Sequence, residues 1–311
     1  MSERKVNTNI SPTDLPILAG LPWFNRTELL LFMEKTGQVE REDISDKPYV
    51  KRGIQLEPII LDEYRAMTQA NLDTEHKRMW IRHPENSWFL GRLDARILDP
   101  VNGKLGFVEA KTTNSWGDEW GTPHTDDIPL GYMLQVMGYL TAGEEGGPDP
   151  LDFCHLLALN PSSWEYRLYL IERDPDMCRD ILEVSTAWRQ KHLIEQVEPE
   201  AKLPEDMPLI FGTANDDEIR MATEDEIRLI QQMKEVKGDL KSLEDEYGKL
   251  KIQLQTTMGT ASMLLGPEKT KVVTWKNQSR RAVDQTRLKK ERPDIAKDFE
   301  KVSEFRVMRI A

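Results

Sequence analysis

Two carboxylates and an ammonium stand at a spacing that can bring them to one point. Asp94 is followed, after fourteen residues, by Glu109-Ala110-Lys111. Apolar stretches precede both groups: Leu90-Gly91-Arg92-Leu93 before the aspartate and Leu105-Gly106-Phe107-Val108 before the glutamate. Residues 88–98 and 105–112 read as strands, and Asp99-Pro100-Val101-Asn102-Gly103 between them carries an Asn-Gly turn signal, so a hairpin is predicted in which Asp94 and Glu109 face each other. Strand side chains alternate with period two, which puts Glu109 and Lys111 on one face. Carboxylate oxygens suit Mg²⁺, which keeps water and phosphate oxygens in its remaining positions. A neighbouring lysine can orient or deprotonate a bound water, or offset charge on a pentavalent phosphate. Charged groups in such apolar strands need a partner or an ion. The competing reading is an exposed hairpin with an ordinary charge ladder.

Two helical segments supply further polar groups. Residues 53–70 show Leu56, Ile59, Ile60 and Tyr64 at three- and four-residue spacing, an amphipathic helix that carries Glu57. Residues 130–143 read as a helix with Gln135 and Tyr139 one turn apart. Ser11-Pro12-Thr13-Asp14 and Asn25-Arg26-Thr27-Glu28 are helix starts, the second ending at Gly37. Strands are expected at 151–159 and 164–172 around the turn Asn160-Pro161-Ser162-Ser163, then a helix at about 174–196. Helix, strands, helix, strands, helix is a mixed α/β order.

Composition narrows the function classes. The chain has 311 residues, a formal net charge of -12 and 31% charged residues. That balance argues against a nonspecific DNA coat, but not against an enzyme with a local positive track. No run approaches the ~20 apolar residues of a membrane span, and the first residues lack an apolar signal segment, so a cytoplasmic protein is expected. Cys154 and Cys178 are too few for a four-cysteine cluster and read as buried, inert thiols. His76, His83, His124, His155 and His192 show no metal-ligand spacing.

Beyond residue 196 the character changes. Residues 197–222 read as a linker, Pro-rich in its first part. In 223–256, Leu229, Met233, Val236, Leu240, Leu243, Tyr247, Leu250 and Leu254 alternate in steps of four and three, a heptad seam interrupted by Gly238 and Gly248. It serves either a coiled coil or an arm packed on its own protein. Residues 259–311 hold thirteen Lys/Arg against seven Asp/Glu, with strands expected at KVVTWK and FRVMRI. Arg280, Arg281, Arg287, Lys289, Lys290 and Arg292 form a basic run, a solvated face or a phosphate contact. Trp116 and Trp120 either stack on DNA or anchor their loop.

Taken in order, Glu57, Asp94, Glu109-Ala110-Lys111 and Gln135-x-x-x-Tyr139 resemble the motif series of PD-(D/E)xK nucleases, and specifically the YqaJ-type viral recombinases, relatives of lambda exonuclease. The resemblance spans about residues 9–195 and includes Asn9-Ile10-Ser11-Pro12-Thr13-Asp14, Arg52-Gly53 and the segment 128–136. Leu93 stands where the superfamily's proline is found, and Ser-Pro-Thr-Asp replaces a more Gly/Ala-rich start. The resemblance implies a restriction-endonuclease-like core over 1–196, a central mixed sheet flanked by helices, with the long helix and a small basic α/β tail at 223–311. It implies that Asp94, Glu109 and the Ala110 carbonyl ligate Mg²⁺, with Mn²⁺ able to substitute, and that Glu57 serves a second ion. Lys111 then activates or orients water and Gln135 positions it, while Ser11, Tyr139 and the basic run at Arg280, Arg281, Lys289 and Lys290 contact DNA. The implied reaction is 5′-to-3′ digestion of duplex ends by a ring-shaped homotrimer in a bacterial host, giving a 3′ overhang to a single-strand annealing protein. The same residues would also serve an endonuclease. A non-catalytic DNA-binding scaffold is disfavoured by the intact Glu, Asp, Glu, Lys set.

Overall fold

The computed structural model describes residues 6–21, 23–24, 26–75, 79–99, 103–144, 146–212, 219–267, 270–277, 285–298 and 308. The chain divides into two compact units, Met1–Ile210 and Phe211–Ala311.

In the first unit, short helices α1 (Leu15–Leu18) and α2 (Glu28–Lys35) lead to the long α3 (Pro48–Thr68). Proline fits the first turn of α3, where its missing N–H costs nothing, and Gln69 ends the helix in the left-handed region at φ 58°. Strands β1 (Leu72–Asp73), β2 (Trp80–Arg82), β3 (Leu90–Arg92), β4 (Ala95–Leu98) and β5 (Leu105–Thr112) follow. Then come α4 (Leu130–Ala142), β6 (Phe153–Asn160), β7 (Glu165–Glu172) and α5 (Pro175–Trp188), the last continued by a π-helical turn to Ile194. The main sheet runs β1-β4-β5-β6-β7. Only β5 and β6 are parallel within it, joined by a crossover through α4. This is the mixed α/β sheet flanked by helices that the sequence predicts.

Alternation in β5 and β6 divides the core in two. Phe107, Cys154, Leu156 and Ala158 pack with α4 and α5, whereas Val108, Phe153, Leu157 and Leu159 pack under Ile60, Leu61 and Tyr64 of α3. Because β6 is covered on both faces, it reads as an apolar run from Phe153 to Leu159 broken only by the partly buried His155. Close approach of α4 to the amino-terminal segment depends on Gly138, where a Cβ would lie 2.4 Å from Leu15 Cδ1. Ala201 and Leu209, in the segment read as a linker, lie against the first core, so packing of this unit extends past residue 196.

One expected strand is two. The run 88–98 breaks at Leu93-Asp94: β3 pairs with β2 in a separate two-stranded sheet, and only β4 pairs with β5. The predicted antiparallel register holds from Leu98↔Leu105 to Ala95↔Val108.

The second unit holds α7 (Glu224–Met258), the hairpin β8 (Met263–Leu265) and β9 (Lys271–Thr274), and helices α8 (Gln285–Glu291) and α9 (Pro293–Asp298); α6 (Met207–Phe211) precedes it. A capping box between Thr223 and Glu226 starts α7 where the sequence places it. The eight seam residues from Leu229 to Leu254 are exposed. The FRVMRI strand expectation falls outside the described residues except for Met308, which carries no strand assignment.

Candidate active site

The break at Leu93-Asp94 exposes the edge of β5 just past Val108. Had β4 continued, its backbone would have met Ala110; instead the Asp94 carboxylate takes that place, its Oδ2 accepting the Ala110 N–H at 2.9 Å. Asp94 is thereby fixed to the strand that carries Glu109 and Lys111. Those two side chains share the α4 face of β5, as alternation requires, and Lys111 Nζ donates to Glu109 Oε1 at 2.6 Å. From α4, Gln135 Nε2 donates to the same oxygen at 2.9 Å. Glu57 approaches from α3. It lines, with Asp94, Arg92, Arg65 and Thr74, a cleft of about 230 Å³. Pro58 follows it in the helix and removes the N–H that would have bonded to the Ile54 carbonyl.

Electrostatics show a site short of positive charge. Burial and then the neighbouring Asp94 push the Glu109 carboxyl up to about 7, against the pull of Lys111. Burial likewise raises Asp94, opposed by Lys111, the Ala110 N–H and Arg92. Glu57 is raised by burial and by Asp94. Burial works against charge on Lys111, but Glu109 and Asp94 outweigh it and lift its pKa above the ordinary lysine value. Three carboxylates thus share one largely buried ammonium, with the exposed Arg92 also pulling on Asp94 and Glu57. Glu109 is 2% exposed, and its Oε2 is buried with no hydrogen-bond partner.

A hard cation fits this donor set. Among the described residues no group of three or more Asp, Glu, His or Cys side chains is arranged to hold a metal ion by itself. Mg²⁺ does not need one: it keeps several waters and is held by one or two carboxylates plus substrate phosphate. Asp94 and Glu109 could supply those carboxylates, the buried Glu109 Oε2 lacks a partner that a cation would provide, and a cation would offset the burial and mutual repulsion that raise both carboxyls.

That charge deficit has a consequence for stability. In metal-free buffer, folded Glu109 keeps its proton to about pH 7, whereas its ordinary value is 4.5. Between those values the folded state binds more protons than the unfolded chain, so stability falls as pH rises through the window. Asp94 and Glu57 act in the same sense. Denaturant melts in a chelator at about pH 5 and about pH 8 should show a larger loss for the wild type than for Glu109→Gln. Parallel profiles for the two proteins would refute the shift.

Other sequence-predicted site residues lie apart or serve packing. Ser11 caps the turn Pro12–Asp14, its hydroxyl 2.9 Å from Thr13 Oγ1 and its N–H on Asp14 Oδ2. Tyr139 requires a correction. Its ring is 4% exposed and packs edge-on against Phe107 at 5.4 Å, so it is not a surface DNA contact; its hydroxyl instead bonds to the Gln135 side chain beside Glu109. Trp116 and Trp120 anchor their loop: Trp120 is buried, and Trp116 donates to Glu165 Oε2 at 2.9 Å with Arg167 over its ring. His83, His155 and His192 bond to the Asn86 N–H, the Tyr64 hydroxyl and the Val197 carbonyl. Lys289 and Lys290 are exposed on α8, while Arg280 and Arg281 lie outside the described residues.

Two residues near the chemistry were not anticipated. Lys111 Nζ lies 5.3 Å from the ring centroid of Tyr132, itself edge-on to Trp23 at 5.1 Å. Tyr132 precedes Gln135 by three residues, one helical turn, which was the available signal. Arg92 lines the cleft with Asp94, and its position two residues earlier in a strand-like run was the corresponding clue.

Residues 11–144 match the model of the YqaJ-like viral recombinase domain. Over 308 residues the chain is 27% identical to the uncharacterized protein YqaJ of Bacillus subtilis (strain 168), covering 96% of this chain and 89% of that protein. Among solved structures it is similar to LHK-Exo, an alkaline exonuclease from Laribacter hongkongensis, at 18% identity and a TM-score of 0.45, over 61% of this chain and 90% of that one. A phage related exonuclease from Haemophilus somnus 129PT matches at 13% identity and a TM-score of 0.40, over 61% of this chain and 96% of that one.

Proposed function

We propose, from the match of residues 11–144 to the YqaJ-like viral recombinase domain and from the site's geometry, that this chain is a Mg²⁺-dependent deoxyribonuclease that digests linear duplex DNA from its ends. The observation that carries the reading is the convergence of Asp94, Glu109 and Lys111 on one strand edge, with Gln135 fastened to Glu109. The reaction is in-line attack of water on a backbone phosphorus with departure of the bridging oxygen. When bound, Mg²⁺ supplies Lewis-acid polarisation of the phosphate and lowers the pKa of a bound water. Mn²⁺ substitutes for it, and Glu57 serves a second ion. Asp94 and Glu109 hold the metal with the Ala110 carbonyl. Lys111 orients the attacking water and offers its charge to the crowded phosphate. Gln135 holds Glu109 in place, so that Oε2 faces its ligand.

Digestion in the 5′-to-3′ direction leaves a 3′ overhang for a single-strand annealing protein. A homotrimeric ring in the host cytoplasm completes the proposal. No helix among the described residues is long and apolar enough to cross a membrane. The test is a linear duplex with a 5′ phosphate, with and without Mg²⁺, beside nicked and covalently closed circles. Metal-dependent loss of one strand of the linear substrate, with the closed circle intact, is the expected result. A linearised closed circle would move the assignment to an endonuclease, and no metal-dependent cleavage of any substrate would remove it.

A further inference from the structure

The cleft beside the carboxylates is built from two regular elements, and their periodicities explain its lining. Glu57, Leu61 and Arg65 recur every four residues on α3 and so share one face, which forms one wall. Arg92 and Asp94 stand two apart where β3 gives way to β4 and form the other. Glu57 and Asp94 make the cleft acidic, and Arg65, Arg92 and the Thr74 hydroxyl add donors. Arg65 is already engaged, its Nη1 2.6 Å from Asp62 Oδ1.

Arg92 differs. It is exposed, and among the described residues no ion pair or hydrogen bond engages its guanidinium. It is nonetheless near enough to Glu57 and Asp94 to draw both carboxyls downward, a smaller effect than the burial that raises them. A planar fork of N–H donors, unspent and adjacent to carboxylates that are themselves engaged in the site, matches the oxygens of a phosphodiester. A chain with net charge -12 needs such local cations to hold a polyanion at all.

We propose that Arg92 and the α3–β3 cleft form a subsite for a backbone phosphate of the DNA strand, next to the phosphate that is cut. The subsite rests on the nuclease reading for its substrate, yet its test does not depend on catalysis. Phosphate contacts carry no sequence information and fix the register of the strand, so Arg92 sets where the strand lies relative to Lys111 and contributes nothing to base preference.

The experiment measures binding of a labelled linear duplex by fluorescence anisotropy, in a chelator, across a range of salt. Wild type, Arg92→Gln and Arg92→Lys are compared on two unrelated sequences. Arg92→Gln should bind about tenfold more weakly. Its slope of log affinity against log salt should be shallower by about one, equally for both duplexes. Arg92→Lys keeps the charge and should keep the slope, which a merely structural role would not predict. An unchanged slope and affinity in Arg92→Gln overturns the subsite even if the wild type cuts DNA, and a loss confined to one sequence overturns it in favour of a base contact. A shallower slope in a protein that shows no metal-dependent cleavage leaves the subsite standing and removes the nuclease reading.

Discussion

Lys111→Ala should cut linear duplex at least ~10³-fold more slowly than the wild type, within the range by which a positioned proton-transfer group accelerates a reaction. The same variant should be stabilised more, not less, by Mg²⁺. The lysine is no ligand in the proposed site, and its removal takes a positive charge away from Glu109 and Asp94. This opposition separates the proposed role from a structural one. The substitution also leaves Glu109 without its ion-pair partner, so the metal-free protein should lose ~3 kcal/mol of stability. Rates on a 5′-phosphorylated duplex and melting temperatures with and without Mg²⁺ decide the matter. Near-wild-type turnover removes the core of the proposal, and a vanished Mg²⁺ shift would make Lys111 part of the metal's cradle.

Asp94→Asn should abolish the Mg²⁺ shift itself, along with cleavage. The amide is chosen for a reason seen in the geometry. Asp94 Oδ2 accepts the Ala110 N–H at 2.9 Å, and an asparagine oxygen can keep that bond whereas alanine would leave the N–H unpaired. The fold is therefore retained while the charge that binds the cation is gone. A ligand that binds only the folded state raises its stability in proportion to its affinity, so the lost shift reads metal binding directly. Losing roughly 4 kcal/mol of transition-state stabilisation corresponds to about 10³-fold in rate. An undiminished shift in this variant would place the metal elsewhere.

The pairing of Asp94 with the Glu109 strand was legible because alternation and an Asn-Gly turn are local signals. The break between Leu93 and Asp94 was not. The run Trp88 to Leu98 alternates and is rich enough in large apolar residues to read as one strand, and what draws β3 away is its pairing with β2, only three residues long and just upstream, too short to stand out in the sequence. Tyr139 was read as a DNA contact for a related reason. Spacing put it one turn from Gln135, which is correct, but α4 is buried on nearly every side from Gln135 onward, and a helix buried all round hides which face is functional. The Pro-rich segment after residue 196 read as a linker, whereas Ala201 and Leu209 find apolar surface that only the assembled core creates. Tyr132 and Arg92 went unassigned because spacing set them near Gln135 and Asp94 without saying what they touch or fail to touch.

The parallel pairing of β5 with β6 bears on how the molecule is made. The β4–β5 and β6–β7 hairpins each close a short loop, while bringing β5 to β6 means closing the whole crossover through α4. Loop-closure entropy makes that joining the costlier event, and non-local pairings of this kind slow the folding of a chain. Before it, a nascent polypeptide can set Asp94 against Ala110, but Gln135 has not yet met Glu109 and the buried environment of the acids does not exist. The proposed hydrolytic site is thus incomplete until the sheet is whole, and a partly synthesised copy would lack the activity proposed for the finished chain.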